Sequence, residues 1–433
     1  MTITEIESQA FEQSVERWIF DAVKNDATTF EQLIKLLPSV DPIIAFKALQ
    51  KLQPSLPIPK STLCTLINSA LWKQPKLTHA RHQESLPPPH PLDYDWRFTD
   101  STVEYLLQKC AEITPPHGTI VLLGTPSLLH VGTGSSYQRN TVLLEANPIM
   151  TSCLSSTVLG SQIVECDLLR DALPNLSAEA VVMDPPWYPE HVQAFLWDAC
   201  QLCQMDGHIL VSLPPIGTRP GIEREWQETL TWANQLGLQL IHLEDLSLSY
   251  IAPLFERNVF RVTGVHCVPQ DWRRGNLAIF ARRASTNVSR PIVALPEKGW
   301  LEVNLSSVRV RVRPWIDSEF ADPSLISVTP NDVLTSVSRR DPRRQLADVW
   351  TSGNRIFSCK GGGILWHVLD AISRERSPHS AVEAFIGRAL QPREINLVSN
   401  AIEKVLDVVN LERKENLLFG DYWSSTNFTF AAS

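Results

Sequence analysis

Apolar and polar positions divide the chain into stretches of different period. Through residues 1–80 the apolar residues recur at helical spacing. Phe11 to Val23 is amphipathic, and Thr28 to Leu37 repeats the pattern, with Thr28 and Glu31 spaced as a capping box. Ile43 to Leu49, behind Asp41-Pro42, predicts a further short helix. Two short helices joined by Pro38-Ser39-Val40 resemble the start of a helix-turn-helix or winged helix. A helical packing or dimerisation domain is the alternative. Lys47 and Lys51 are the only basic groups on the second helix, which is thin for a DNA reader.

Residues 81–114 predict a linker and a lead-in helix. Pro87-Pro88-Pro89-His90-Pro91 cannot continue a helix and reads as a stiff spacer. The helix over Asp100–Ile113 then starts with Thr99 or Asp100 as N-cap. From 115 to 285 short apolar runs alternate with helical stretches, the pattern of a mostly parallel, Rossmann-like α/β sheet. Seven strands are expected, at Thr119–Gly124, Thr141–Glu145, Gln162–Cys166, Ala180–Met183, His208–Leu213, Leu238–Leu243 and Leu277–Ala281. Helices are expected near Ile149–Leu159, His191–Met205 and Ile222–Leu236. A long irregular connection containing Tyr250 to Arg274 precedes the last strand. Residues 286–433 predict a separate α+β region. There Val308 to Arg313 alternates Val and Arg, and Ser380–Leu411 returns to helical spacing.

Composition narrows the class. The 43% hydrophobic and 20% charged fractions are those of an ordinary globular protein, and 433 residues allow two or three domains. No apolar run nears the ~18 residues of a membrane helix, and Met1 to Gln9 lacks a secretion pattern. The expected location is therefore cytoplasmic, with no membrane partner. The eight cysteines are scattered, which fits a reducing compartment. Cys200 and Cys203 have metal or redox spacing, yet they sit in Phe195–Cys203, which reads as a packed helix face, so no metal is expected. A net charge of −8 excludes a whole-protein basic field for nucleic acid.

The chemistry gathers at strand ends. The first strand ends at Gly124, where a glycine allows a tight turn and close backbone approach to a nucleotide-like cofactor. Thr125 follows it. The G-x-G-x-x-G spacing is absent, because the next glycines are Gly132 and Gly134. Glu145 ends the second strand, 21 residues beyond Gly124, near the ~20 expected of a carboxylate on ribose hydroxyls. Asp167 follows the third strand and either accepts from an adenine amino group or caps the next turn. The fourth strand runs into Asp184-Pro185-Pro186-Trp187-Tyr188. A planar amine is a poor nucleophile because its lone pair is delocalised. An Asp carboxylate and a Pro carbonyl that accept its N–H groups favour a tetrahedral nitrogen, and Pro-Pro keeps the acceptors aimed. Trp187 offers a flat face for a base or a cationic carbon.

The Asp184-Pro185-Pro186-Trp187 run resembles the catalytic motif of class I S-adenosylmethionine-dependent amino-methyltransferases, including adenine-N6 enzymes. That resemblance covers about 165 residues. It implies a seven-stranded methyltransferase sheet whose last strand is antiparallel, an S-adenosyl-L-methionine cofactor with its ribose on Glu145, and an acceptor amine held by Asp184, Pro185, Pro186 and Trp187. The first loop, with Glu145, Cys166-Asp167-Leu168 and Asp184-Pro185-Pro186, is also similar to the catalytic domain of branched-chain polyamine synthases. Those enzymes transfer an aminopropyl group from decarboxylated S-adenosylmethionine. They carry an acidic first loop where Thr125-Pro126-Ser127 stand here. Three functions stay open at this point: a methyltransferase acting on an amine, including one on a DNA or RNA base, an aminopropyl transferase, and a catalytically silent Rossmann module in an assembly or sensing role.

Further residues are candidates for substrate contact. Tyr188, Tyr250 and Phe255 are candidates to line a pocket, with ordinary packing the alternative for Tyr250 and Phe255. Arg309, Arg311 and Arg313 emerge on one face of a period-two strand, where they would track a phosphate backbone; a charge-protected sheet edge is the alternative. A protein partner or a homodimer through either end of the chain is a further expectation.

Overall fold

The computed structural model describes residues 2–52, 59–72, 86–132, 139–157, 162–294, 299–305, 307–313 and 319–418. Gly134, and residues 81–85 of the expected linker, lie outside the described residues. The chain divides into two units. The first comprises residues 1–86, 96–252 and 265–295, and the second 87–95, 253–264 and 296–433.

In the first unit four helices come first: α1 (Ile3–Lys24), α2 (Phe30–Leu36), α3 (Pro42–Leu52) and α4 (Lys60–Trp72). The capping box of α2 uses Thr29 and Gln32, one residue beyond the expected Thr28 and Glu31. Gln32 also accepts from the Thr28 backbone and hydroxyl, so the sequence held two overlapping caps. A sheet follows, built from β1 (Arg97–Phe98), β2 (Thr119–Leu123), β3 (Asn140–Glu145), β4 (Gln162–Glu165), β5 (Ala178–Met183), β6 (Cys203–Leu213), β7 (Leu238–Ile251) and β8 (Arg274–Arg282). Between them lie α5 (Asp100–Ile113), α6 (Pro126–Gly132), α7 (Pro148–Thr157), α8 (Pro189–Leu202) and α9 (Ile222–Gln235).

The strand order is β1-β7-β8-β6-β5-β2-β3-β4. β2 to β6 run parallel, and β8 lies antiparallel between β6 and β7. This is the Rossmann-like methyltransferase sheet with its reversed strand, widened by β1. Its central strands are almost continuously apolar because both faces are covered. Val121, Leu123, Val181 and Met183 pack on Val192, Phe195, Leu196 and Ala199 of α8. Leu122 and Val182, one position off, are buried as well. Cys200 and Cys203 belong to the same core, where burial raises both thiols, Cys203 to about 12.

The expected irregular connection is more ordered than its sequence suggested. β7 continues to Ile251 through two register shifts against β8, and Leu254–Val262 forms the helix α10. Those shifts interrupt the period-two pattern and hide the strand.

The second unit has an antiparallel sheet of β9 (Leu301–Leu305), β10 (Val308–Val312), β11 (Ile326–Ser327), β12 (Val349–Thr351) and β13 (Ile356–Ser358), in the order β11-β13-β12-β10-β9. The helices α11 (Gly362–Ser373), α12 (Pro378–Ile386) and α13 (Pro392–Leu418) accompany it. Val303, Val308, Val310 and Val312 meet Leu365, Leu369, Ala401 and Val405 in its core. The Pro-rich segment expected as a spacer is instead packed into this unit, with His90 fully buried against the Trp350 carbonyl at 3.2 Å. Among the described residues no helix is long and apolar enough to cross a membrane.

Candidate active site

Strand register brings the sequence-identified residues together. Leu123 pairs with both Leu144 and Met183, so the residues that follow them, Gly124, Glu145 and Asp184, stand at neighbouring strand tips. After β2 the chain moves first to β3 and β4 on one side, then to β5 and β6 on the other. In open α/β sheets, ligands bind in the crevice outside such a reversal point.

Gly124 turns with φ of +62°, a conformation that disfavours any side chain. Next to it Thr125 is 2% exposed, and its hydroxyl has no hydrogen-bond partner among the described residues. A buried hydroxyl left so is costly, and it marks a place where a ligand or water supplies the partner. Glu145 is half-buried and accepts from the Asn147 backbone at 2.9 Å. Asp167 engages both oxygens locally: one accepts from the Leu169 backbone, the other from Arg170, each at 3.0 Å. That is the capping arrangement, and an adenine amino group would have to share these oxygens.

Beyond β5 the Pro-Pro run is tied down on both sides. The Tyr188 amide donates to the Pro186 carbonyl at 2.6 Å, and the Tyr188 carbonyl accepts from His191 and Val192 in the first turn of α8. Pro189 opens that helix at a position where a missing N–H costs nothing. Tyr250, from the end of β7, is 2% exposed and donates to Asp184 Oδ1 at 2.7 Å. Its hydroxyl also meets Ser212 Oγ from the end of β6, and Ser212 in turn accepts from Trp187 Nε1 at 3.3 Å. Burial, then the charge of Asp184, pushes the Tyr250 phenol well above its ordinary value, so it remains a donor. Phe98 of β1 backs the Tyr250 ring at 4.7 Å, and Trp187 meets it edge-on at 5.5 Å.

Gly275 makes this cluster possible. A Cβ there would lie 3.0 Å from the Trp187 ring, 3.1 Å from Ser212 Oγ and 3.3 Å from the Tyr250 ring. Arg219, in the loop after β6, donates to the Trp187 carbonyl at 2.6 Å and pairs with Glu225 of α9. Its guanidinium lies 5.9 Å over Tyr188, and that of Arg273 lies 5.8 Å over Trp187. On this side of the loop a shallow concavity is lined by Trp187, Tyr188, Val192, Trp226, Arg219 and Glu225.

The other substrate candidates take different roles. Tyr250 is an interior partner of Asp184 rather than a pocket wall. Phe255 is fully buried in α10, within the second unit, and does not line a substrate loop. The Arg row of β10 is not a phosphate track. Arg309 is 0% exposed and paired with Asp93 and Glu302, and Arg311 binds the same two acids. Arg313 stacks over Trp300 at 4.7 Å. The period-two expectation holds, but residues 87–95 cover the arginine face. Sequence reasoning missed Ser212, Arg219 and Gly275. A signal existed for the last alone: an isolated glycine at the start of an apolar strand marks close approach.

No family model and no curated protein matches the chain. Among solved structures it is similar to the branched-chain polyamine synthase from Thermus thermophilus in complex with N4-aminopropylspermidine and 5′-methylthioadenosine, at 12% identity, 68% coverage of this chain and 97% of that one, with a TM-score of 0.46. It is also similar to a putative RNA methyltransferase from Pyrococcus horikoshii, at 12% identity, 46% and 93% coverage and a TM-score of 0.33. A TehB-like SAM-dependent methyltransferase from Corynebacterium glutamicum matches at 14% identity, 43% and 90% coverage and a TM-score of 0.30.

Proposed function

We propose that the protein is an S-adenosylmethionine-dependent methyltransferase acting on an amine nitrogen. One observation carries the reading: register sets Gly124, Glu145 and Asp184 side by side at the reversal point of the sheet. The residues at the first two tips fit an adenosyl cofactor. Gly124 lets backbone approach it, the partnerless Thr125 hydroxyl has a bond to give, and Glu145 suits ribose hydroxyls. When bound, the cofactor would supply an electrophilic methyl group on a sulfonium, with a neutral thioether as the leaving group.

The chain's own residues supply alignment and a proton acceptor. Asp184 accepts an N–H of the acceptor and takes the proton released on transfer. Trp187 fixes the plane of the acceptor, and Arg219 fixes Trp187 through its carbonyl. The acceptor favoured is a neutral amine on a flat ring system, such as a nucleobase. A polyamine would meet two guanidiniums over Tyr188 and Trp187, while Glu225 is already paired with Arg219. This favours methyl over aminopropyl transfer.

The test compares calorimetry of S-adenosylmethionine and its decarboxylated form, with transfer assays from methyl-labelled cofactor. Tighter binding of the carboxylated form is expected. An Asp184→Ala change should reduce transfer at least 100-fold, about 3 kcal/mol of barrier, while leaving cofactor affinity within about threefold. Binding of neither cofactor would leave a silent module as the function.

A further inference from the structure

With Asp184 ionised, the four side chains Trp187, Ser212, Tyr250 and Asp184 admit one assignment of their hydrogens. An indole N–H only donates, and an ionised carboxylate only accepts. Trp187 Nε1 therefore donates to Ser212 Oγ, and the Tyr250 hydroxyl donates to Asp184 Oδ1. Tyr250 has then spent its proton, so the Ser212 hydroxyl must donate to the Tyr250 oxygen. All three bonds point the same way, from the indole toward the carboxylate.

We propose that Tyr250 is a positioning residue for Asp184, the last donor of a polarised chain running Trp187, Ser212, Tyr250, Asp184 that couples the two ends of the Asp-Pro-Pro-Trp run. Its functional consequence rests on the methyltransferase reading, but the chain itself does not. Aligned hydrogen bonds polarise one another, and a low-dielectric setting strengthens them. The chain is buried where this matters: Tyr250 and Ser212 are each 2% exposed. Gly275 keeps side chains out of its path, and Phe98 closes the far side of the Tyr250 ring.

Two effects follow. The bond from Tyr250 fixes the plane of the Asp184 carboxylate and stabilises its anion, so it waits ionised for an N–H. The ring of Trp187 is held edge-on to Tyr250, with its carbonyl on Arg219. An acceptor that seats correctly against Trp187 thereby strengthens the chain at the carboxylate. One that tilts the indole weakens it. Residues 66 positions apart in sequence, Asp184 and Tyr250, thus act as one unit.

The experiment uses the full chain with ¹³C-labelled Asp carboxyls, assigned by Asp184→Asn. In Tyr250→Phe, which keeps the ring, the Asp184 carboxyl should titrate about one pH unit higher than in wild type. Ser212→Ala should shift it in the same direction by less, and it carries the test should Tyr250→Phe not fold. Arg273, the other charged group facing Tyr250, is unchanged in every variant. An Asp184 titration that does not move in either variant overturns the proposal. In transfer assays Tyr250→Phe should lose about tenfold or more in kcat with KM within about threefold, since the bond acts on a group already in place. An unchanged kcat also overturns it. If wild type transfers nothing to any amine, the methyltransferase reading fails by itself, and the carboxyl titration still decides the chain.

Discussion

His191 shows how one residue near the candidate site sets a pH limit. It lies in the first turn of α8, is 3% exposed, and burial pulls its imidazole down to about 4. The unfolded chain takes up this proton near 6.5, and the folded chain does so only near 4. Stability is therefore full above about pH 6.5 and drains as the pH falls toward 4, by up to about 3 kcal/mol. His191→Gln should remove that slope. Urea unfolding at pH 7 and at pH 4.5 should show about 2 kcal/mol less acid loss in the variant than in wild type, and equal losses would discard the assignment. At this scale the sequence was readable where chemistry is contiguous. Asp184 and Trp187 sit three positions apart in one run, so residue type and order announce them. Ser212, Arg219 and Tyr250 come from the ends of β6, the next loop and β7, and they meet Asp184 and Trp187 only through folding. No local pattern carries a contact between strand ends that the sheet itself creates.

The elements were legible where the apolar runs are short and continuous. β2, β3 and β5 lie within about two residues of their expected bounds, because two-sided burial leaves each an apolar run at its centre or end. β7 was cut short because its middle carries His242, Glu244 and Asp245 and because it slips register twice against β8. β10 teaches the opposite lesson. Its period of two was right, but alternation reports only which residues share a face, and the face of Arg309 and Arg311 is covered by Asp93 and Pro88. These guanidiniums hold Asp93 well below the usual carboxylate range despite its burial. Asp93→Asn removes one of the two acids that neutralise Arg309, leaving buried positive charge in excess. Breaking such a pair from one side costs about 3–5 kcal/mol. Thermal unfolding and limited proteolysis should both report that loss in the second unit, with cofactor binding by the first unit unchanged. A loss under about 1 kcal/mol would mean that water reaches the arginines after all.

At the scale of the whole molecule, contiguity in sequence is a poor guide to what folds together. A division at 286 follows the shift in composition, yet the chain passes between the two units at 86/87, 95/96, 252/253, 264/265 and 295/296. The short excursions are structural parts of the second unit. Residues 87–95 bring Asp93 and the Pro88 carbonyl to Arg309, and bury His90 against Trp350. Residues 253–264 bring Asn258, which donates to the Gly353 carbonyl and to Glu415, and Arg261, which pairs with the same Glu415. Glu415 and Glu412 of α13 in turn hold Arg355, itself 1% exposed. Without the two excursions, Arg309 and Arg311 lose a counter-ion and the Glu415 cluster loses two donors. Each is a loss of several kcal/mol, against the roughly 5–15 kcal/mol that holds a whole domain. A fragment of residues 296–433 should accordingly be helical but loosely packed, with poor dispersion of its indole and methyl resonances. The same fragment supplied with 253–264 and 87–95 through flexible linkers should recover sharp, dispersed spectra and a cooperative melt. A cooperative melt from 296–433 alone would show that the excursions decorate a core that is already sufficient. The cut that yields a stable second unit is then set by buried ion pairs rather than by the composition boundary.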